Sequence, residues 1–161
     1  MSIENNKMKA VQDYYSEDFS WCYGCGSQNE AGHHFKTRWE GNETLTTYKP
    51  EPEHTAVPGF VYGGVLASLI DCHSTGSASL ALYRELGYEL GDEVPVPRCV
   101  TASLKVDYLK PTPQGVLLEA FGKIREIGKK KVVVESEVYA EGVCCARGEV
   151  VAVLMPEDFG K

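Results

Sequence analysis

No apolar run in this 161-residue chain approaches the roughly 20 residues that a membrane-spanning helix needs. An excess of positive charge is missing too. Sixteen Lys and Arg stand against 23 Asp and Glu, for a net charge of −7. That balance argues against nucleic acid as the main partner. The opening residues, MSIENNKMKAVQDYYSED, hold no apolar core of the secretory kind, so no signal peptide is expected. A cytoplasmic protein with no membrane partner is the expectation. Internal repeats and low-complexity tracts are absent, and the length suits one domain with a real core.

Six cysteines are present: Cys22, Cys25, Cys72, Cys99, Cys144 and Cys145. In a reducing compartment they are expected as free thiols. Cys22-x-x-Cys25 has the spacing of half a zinc site or of a redox pair. No second close pair completes it in the sequence. His33 and His34 head an expected strand, and the adjacent Cys144 and Cys145 project to opposite faces of another. The thiols therefore read as structural, and no metal is expected.

The pattern of elements is clear. A polar N-terminal arm is expected over residues 1–20, with a single domain over residues 21–161. His34–Glu40 and Glu43–Lys49 flank the Gly41-Asn42 pair and read as a hairpin. Pro50 to Pro58 cannot be helix interior. A helix is expected from Gly63 to Glu85, with Leu66, Leu69, Ile70, His73, Ser77, Leu80 and Ala81 along one stripe. Its run of small residues from Ser74 to Ser79 calls for close enclosure by a sheet or a partner chain. Four strand-like segments follow, Cys99–Leu109, Val116–Glu126, Lys130–Glu141 and Val143–Met155. In the third, Val132, Val134, Ser136, Val138 and Ala140 alternate with polar neighbours. A lone apolar helix with about six antiparallel strands must be wrapped by the sheet, which is the α+β hotdog arrangement.

The stretch Tyr62-Gly63-Gly64-Val65-Leu66-Ala67-Ser68-Leu69-Ile70-Asp71 carries the chemistry. Two glycines open an apolar helix, where backbone N–H groups lack intrahelical acceptors. Such a turn can hold the oxyanion that forms when a carbonyl is attacked. Asp71, set among Leu69, Ile70 and Cys72, is the candidate base. Eight helical residues put Gly63 and Asp71 about 12 Å apart along the axis. One chain's turn and its own Asp71 cannot easily serve the same carbonyl, whereas a two-fold homodimer brings the two together. A pairing of such dimers is left open. Leu66 borders an expected apolar slot beside the helix. Arg125, Lys129, Lys130 and Lys131 form a basic hairpin tip suited to nucleotide phosphates.

These residues resemble the hotdog-fold acyl-CoA thioesterases of the phenylacetate-pathway type, across roughly residues 21–155. In that family a His-Gly-Gly triplet opens the central helix, and an Asp follows eight residues after the first glycine. Gly63, Gly64 and Asp71 keep that spacing, while Tyr62 takes the histidine's place. The Cys-Tyr-Gly-Cys-Gly run at 22–26, with Asn29 and Gly32, resembles an N-terminal signature of one branch. Val100 to Pro111 resembles the strand that ends in a Lys/Arg-Pro step, and the family's Ser or Thr hydroxyl falls at Thr101. Ala56 stands where some members carry an asparagine. The resemblance implies hydrolysis of an acyl-CoA thioester by Asp-activated water at a dimer interface. Coenzyme A would enter only as part of the substrate, with no other cofactor. Tyr62 and His54 are expected on the substrate side. In dehydratases of the same fold, a histidine spaced like His54 works with a carboxylate that would fall at Ala67, and alanine cannot act as an acid. A non-catalytic acyl-CoA binding module on the same fold is the alternative.

Overall fold

The computed structural model describes residues 9–161. Six strands form one antiparallel sheet: β1 (Thr37–Glu40), β2 (Glu43–Tyr48), β3 (Cys99–Tyr108), β4 (Leu118–Ile127), β5 (Lys131–Ala140) and β6 (Val143–Leu154). Among the described residues one α-helix, α1 (Gly63–Glu85), lies against it. The strand order is β1-β2-β4-β5-β6-β3, so β1 and β3 are the edges. Two tight turns explain the hairpins. Gly41 takes a left-handed φ of +62° between β1 and β2, and Glu141-Gly142, at +50° and +80°, turns β5 into β6. No helix among the described residues is long and apolar enough to cross a membrane.

The first strand begins later than the sequence suggests. His34 has φ +58°, a conformation that cannot propagate a strand, so β1 starts only at Thr37. β4 likewise starts at Leu118 rather than Val116. Of the expected polar arm, residues 1–8 lie outside the described residues. Its remainder folds into two short 3-10 turns, Val11–Tyr14 and Glu17–Phe19, and buries Ala10, Val11 and Gln12.

The sheet encloses α1 as the hotdog arrangement requires. From Cys72 to Tyr83 every residue of α1 is buried, so this half has no solvent face. The small residues let strands approach the helix axis from several directions. Ser74 Oγ meets Ser136 Oγ of β5 at 2.9 Å. A Cβ at Gly122 of β4 would stand 2.6 Å from His73 Nε2 and 2.5 Å from Thr44 Oγ1. On the same helix-facing side of β5 as Ser136, Val132, Val134, Val138 and Ala140 are buried as their alternation implies.

Burying the helix all round also buries its polar groups, and these are bonded to one another. His73 Nδ1 pairs with Thr46 Oγ1 at 2.7 Å. Thr46 Oγ1 meets Thr37 Oγ1 at 2.9 Å, and Gln12 Nε2 donates to Thr37 Oγ1 at 3.0 Å. Thr37 N–H in turn donates to Gln12 Oε1 at 2.7 Å. The chain of bonds thus ties the N-terminal segment through β1 and β2 to the middle of α1.

Burial drives the His73 pKa down from its ordinary 6.5 to about 3. The imidazole is neutral in the native protein, while the unfolded chain takes up a proton below about pH 6.5. Its contribution is therefore complete above that pH and is lost as pH falls towards 3, by about 1.4 kcal/mol per pH unit. Thermal unfolding followed from pH 7 to 5 should show this slope, and His73→Asn should flatten it relative to wild type. Gly122→Ala, which presses a methyl group onto the same fixed histidine, should lower stability by roughly 1–3 kcal/mol in urea unfolding.

Candidate active site

The N-terminal half of α1 is the part the sheet leaves open. Gly63, Gly64, Ala67, Ser68 and Asp71 are all half-buried, while Leu66, Leu69 and Ile70 on the other side are fully covered. Tyr62 is the N-cap residue and its side chain makes no capping hydrogen bond. Its backbone carbonyl accepts from Val65 N–H at 3.0 Å. Among the described residues no backbone acceptor takes the Gly63 or Gly64 N–H groups. These two amides are free at a helix start, the arrangement that favours a negative oxygen.

Three contacts hold the turn. Tyr62 N–H donates to the His54 carbonyl at 2.9 Å, and Val61 N–H to the Thr112 carbonyl at 2.9 Å. The Tyr108 hydroxyl at the end of β3 donates to the Gly63 carbonyl at 2.7 Å. Tyr62 itself is exposed, and its ring lies over Gly64, where a Cβ would come within 2.4 Å of Cε1. A shallow groove of about 320 Å³ runs past this turn, lined by Phe60, Gly63, Leu66, Tyr108 and Pro111 among others. Leu66 and Gly63 thus share one concavity.

At the other end of the open half, the Thr101 hydroxyl donates to Asp71 Oδ1. A register shift in the β3–β6 ladder between Thr101 and Ser103 marks a bulge there. Bulges re-aim side chains, and this one accompanies the contact with α1. Both ends of the open half are therefore held by the edge strand: Asp71 through Thr101, Gly63 through Tyr108.

The remaining sequence candidates lie elsewhere. His54 accepts from Glu51 N–H at 3.0 Å and joins His33, Phe35 and Tyr48 in an aromatic cluster. Its link to the turn is its carbonyl. Burial is the main cause that lowers the pKa of His33 in that cluster, with His54 and His34 adding to it. Arg125 pairs with Glu135, and Lys131 with Glu126 at 3.8 Å. Lys129 lines a hollow of about 530 Å³ with Leu82, Glu85 and Leu86 at the far end of α1. Within one chain the basic tip does not reach the Gly63 turn.

Two features escape the sequence. Tyr108 ends β3, two residues before Lys110-Pro111, but only the fold turns its hydroxyl to Gly63. Cys72 meets the Cys22/Cys25 loop, with Cys22 Sγ 3.8 Å from Cys72 Sγ and all three sulfurs within 4.8 Å of one another. S–H donation from Cys25, then from Cys72, holds the Cys22 thiol far below its usual range. The same bond to Cys22 pushes Cys25 up to about 11.

Residues 58–145 match the profile of the Thioesterase superfamily. A Thioesterase superfamily protein from Shewanella loihica PV-4 is 48% identical over 90% of this chain and 99% of its own, with a TM-score of 0.67. The Escherichia coli PaaI protein from the phenylacetic acid degradation operon shares the fold at 16% identity, covering 77% of this chain and 81% of its own, with a TM-score of 0.62. A Streptococcus mutans UA159 protein solved bound to acetyl CoA is 20% identical, covers 75% of this chain and 88% of its own, and has a TM-score of 0.60. Among curated proteins, acyl-coenzyme A thioesterase THEM4 of Xenopus laevis is 29% identical over 91 residues, or 56% of this chain. The match spans only 35% of that relative's length.

Removing the Tyr108 hydroxyl tests how firmly the turn is held. Tyr108→Phe should lose about 1 kcal/mol or less by urea unfolding, because the bond lies at an exposed site. A loss several times larger would show that the turn carries more of the fold than this geometry allows.

Proposed function

This chain belongs to the Thioesterase superfamily, and on that premise we propose that it hydrolyses an acyl-CoA thioester to the free acid and CoA. The observation that carries the reading is the edge strand β3, which fixes Asp71 at one end and the Gly63 turn at the other. The thioester oxygen rests on the Gly63 and Gly64 N–H groups. Asp71 takes a proton from water as the water oxygen attacks the carbonyl carbon. Thr101 holds Oδ1, leaving Oδ2 to face the water. When the tetrahedral species collapses, the C–S bond breaks and the CoA sulfur leaves with the proton returned by Asp71. The amides stabilise charge that exists only on the way through this intermediate. The step draws on no cofactor beyond the CoA of the substrate.

The separation of the two groups along α1 makes the site bipartite, and β3 supplies the means of joining halves. It is a ten-residue edge strand with one neighbour, exposed through its middle, with Leu104 and Tyr108 open to solvent. Long unprotected edges invite pairing with another chain. A two-fold antiparallel pairing centred between Leu104 and Lys105 sets Thr101 opposite the partner's Tyr108. Asp71 of one chain then faces the partner's Gly63. The same pairing supports a role for the basic tip. Lys131 pairs with Val153 and Val132 with Ala152, which itself neighbours Thr101. Lys129, Lys130 and Lys131 therefore sit at the Thr101 end of β3, near the partner's turn, where CoA phosphates would lie. The Streptococcus mutans structure is bound to acetyl CoA, an acyl-CoA, which supports this reading, and the acyl chain follows the groove past Leu66.

A thiol-release assay across short, long and aryl acyl-CoAs tests the proposal. Asp71→Ala should lower turnover by about 10²–10⁴-fold, the range for loss of a general base. Thr101→Val should lower it less. Full activity in Asp71→Ala would remove the mechanism. CoA binding without thiol release from any acyl-CoA would favour the non-catalytic binding module, for which Tyr62 in place of histidine is the supporting observation.

A further inference from the structure

The three sulfurs of Cys22, Cys25 and Cys72 have no part in the hydrolytic step, and they are placed by chain segments far apart in sequence. Cys22 and Cys25 lie on the loop that follows the second 3-10 turn, and Cys72 lies in the middle of α1. We propose that they form a binding site for a thiophilic cation of the zinc type, which clamps the N-terminal loop to the helix one residue beyond Asp71. The inference stands apart from the hydrolytic reading and holds or fails without it.

Distance is the first argument. Zinc–thiolate bonds of about 2.3 Å set the sulfurs of a tetrahedral site about 3.8 Å apart. Cys22 Sγ and Cys72 Sγ are 3.8 Å apart, and the third sulfur lies within 4.8 Å of both. The three thiols already define one face of a tetrahedron to within a small rotamer adjustment. Soft thiolate ligands select zinc or monovalent copper over the hard cations.

The loop is built around this approach. Gly26 N–H donates to the Cys22 carbonyl at 2.7 Å, and Gln28 N–H to the Ser20 carbonyl at 2.9 Å, which close the Cys-Tyr-Gly-Cys-Gly segment on itself. A Cβ at Gly24 would stand 2.3 Å from Cys72 Sγ, and one at Gly26 only 2.4 Å from the Cys22 nitrogen. Glycine at 24 lets the backbone pass directly over the helix cysteine, and glycine at 26 lets the loop close on its own backbone. Charge is also matched. A divalent cation with three thiolates carries one net negative charge, and Arg98 is close enough to interact electrostatically with all three sulfurs. The Arg98 guanidinium is fixed by donation from Nη1 to the Cys99 carbonyl at 2.6 Å and by stacking 4.8 Å over the Tyr15 ring.

No fourth Cys, His, Asp or Glu among the described residues joins the group. Cys22 is only half-buried, and Trp21 and Tyr23 beside it are exposed. The fourth corner therefore opens towards solvent and falls to water. As the cation binds, Cys25 and Cys72 lose their thiol protons to solvent, and no electron is transferred.

The 161-residue chain purified with a reductant and without chelator should contain about one equivalent of zinc or copper by elemental analysis. After the metal is stripped under reductant, Co²⁺ added to the protein should produce a thiolate-to-cobalt charge-transfer band, displaced by Zn²⁺. Cys22→Ser and Cys25→Ser should each abolish that band with the circular dichroism spectrum unchanged, and Cys144→Ser should leave it intact. Because Cys22 lies on a partly exposed loop, its variant is the one least exposed to a folding defect, and the wild-type metal content stands without any variant. A folded protein with six titratable thiols, less than about a tenth of an equivalent of either metal and no cobalt band would overturn the proposal. A disulfide among these three cysteines in protein isolated without reductant, again with no bound metal, would overturn it in favour of a redox pair.

Discussion

The structure depends on burying a 23-residue helix on every side along half of its length. An ordinary surface helix hides one stripe; α1 from Cys72 to Tyr83 hides all of them. Small side chains make room for it at the centre, where Ser74 to Ser79 contains no large residue, while His73, Leu80, Leu82 and Tyr83 are buried around it. The buried hydroxyls and the His73 imidazole must then find partners inside, and they do so in threonines of β1 and β2 and in Gln12. Buried polar groups left unmade would be costly, so the register of the first hairpin against the helix is fixed by chemistry as well as by packing.

The same constraint decides where reactivity can lie. The sheet curls around the C-terminal half of α1 and leaves the N-terminal half beside the last strand in spatial order. There the helix start exposes two amides without acceptors, and one turn-spaced carboxylate reaches a strand hydroxyl. The edge strand holds both, yet holds them at opposite ends. The proposed two-fold pairing uses that edge, an unprotected strand that holds the two groups at its opposite ends.

Much of this was legible in the residues. The first hairpin announced itself through Gly41-Asn42, and β5 through its strict alternation. The helix bounds followed from the glycines at 63–64 and the small-residue run. The first strand was placed too early, because nothing in the residue types marks the left-handed backbone at His34. The strand order was not legible, since the position of β3 at the edge depends on how the sheet wraps. For the site, Asp71 and the Gly-Gly turn stood out by their spacing, while Thr101 came only with the family resemblance. Tyr108 did not, because a strand tyrosine carries no sign of which carbonyl it will meet. The sulfur trio was hidden for a similar reason: Cys22 and Cys72 are 50 residues apart, and only the Cys-x-x-Cys half has a sequence signature.

The central claim, that each site is completed by two chains, is tested most directly by subunit complementation. Asp71→Ala disables the acid half, and Gly64→Val blocks the amide half; each variant alone should be inactive. Mixed, unfolded and refolded together, they should re-pair at random, and half of the dimers would then hold one intact site out of two. Thiol release should return to about a quarter of the wild-type rate per chain. Mixtures that stay as inactive as their parents, with mixed dimers demonstrated by mass, would contradict the account.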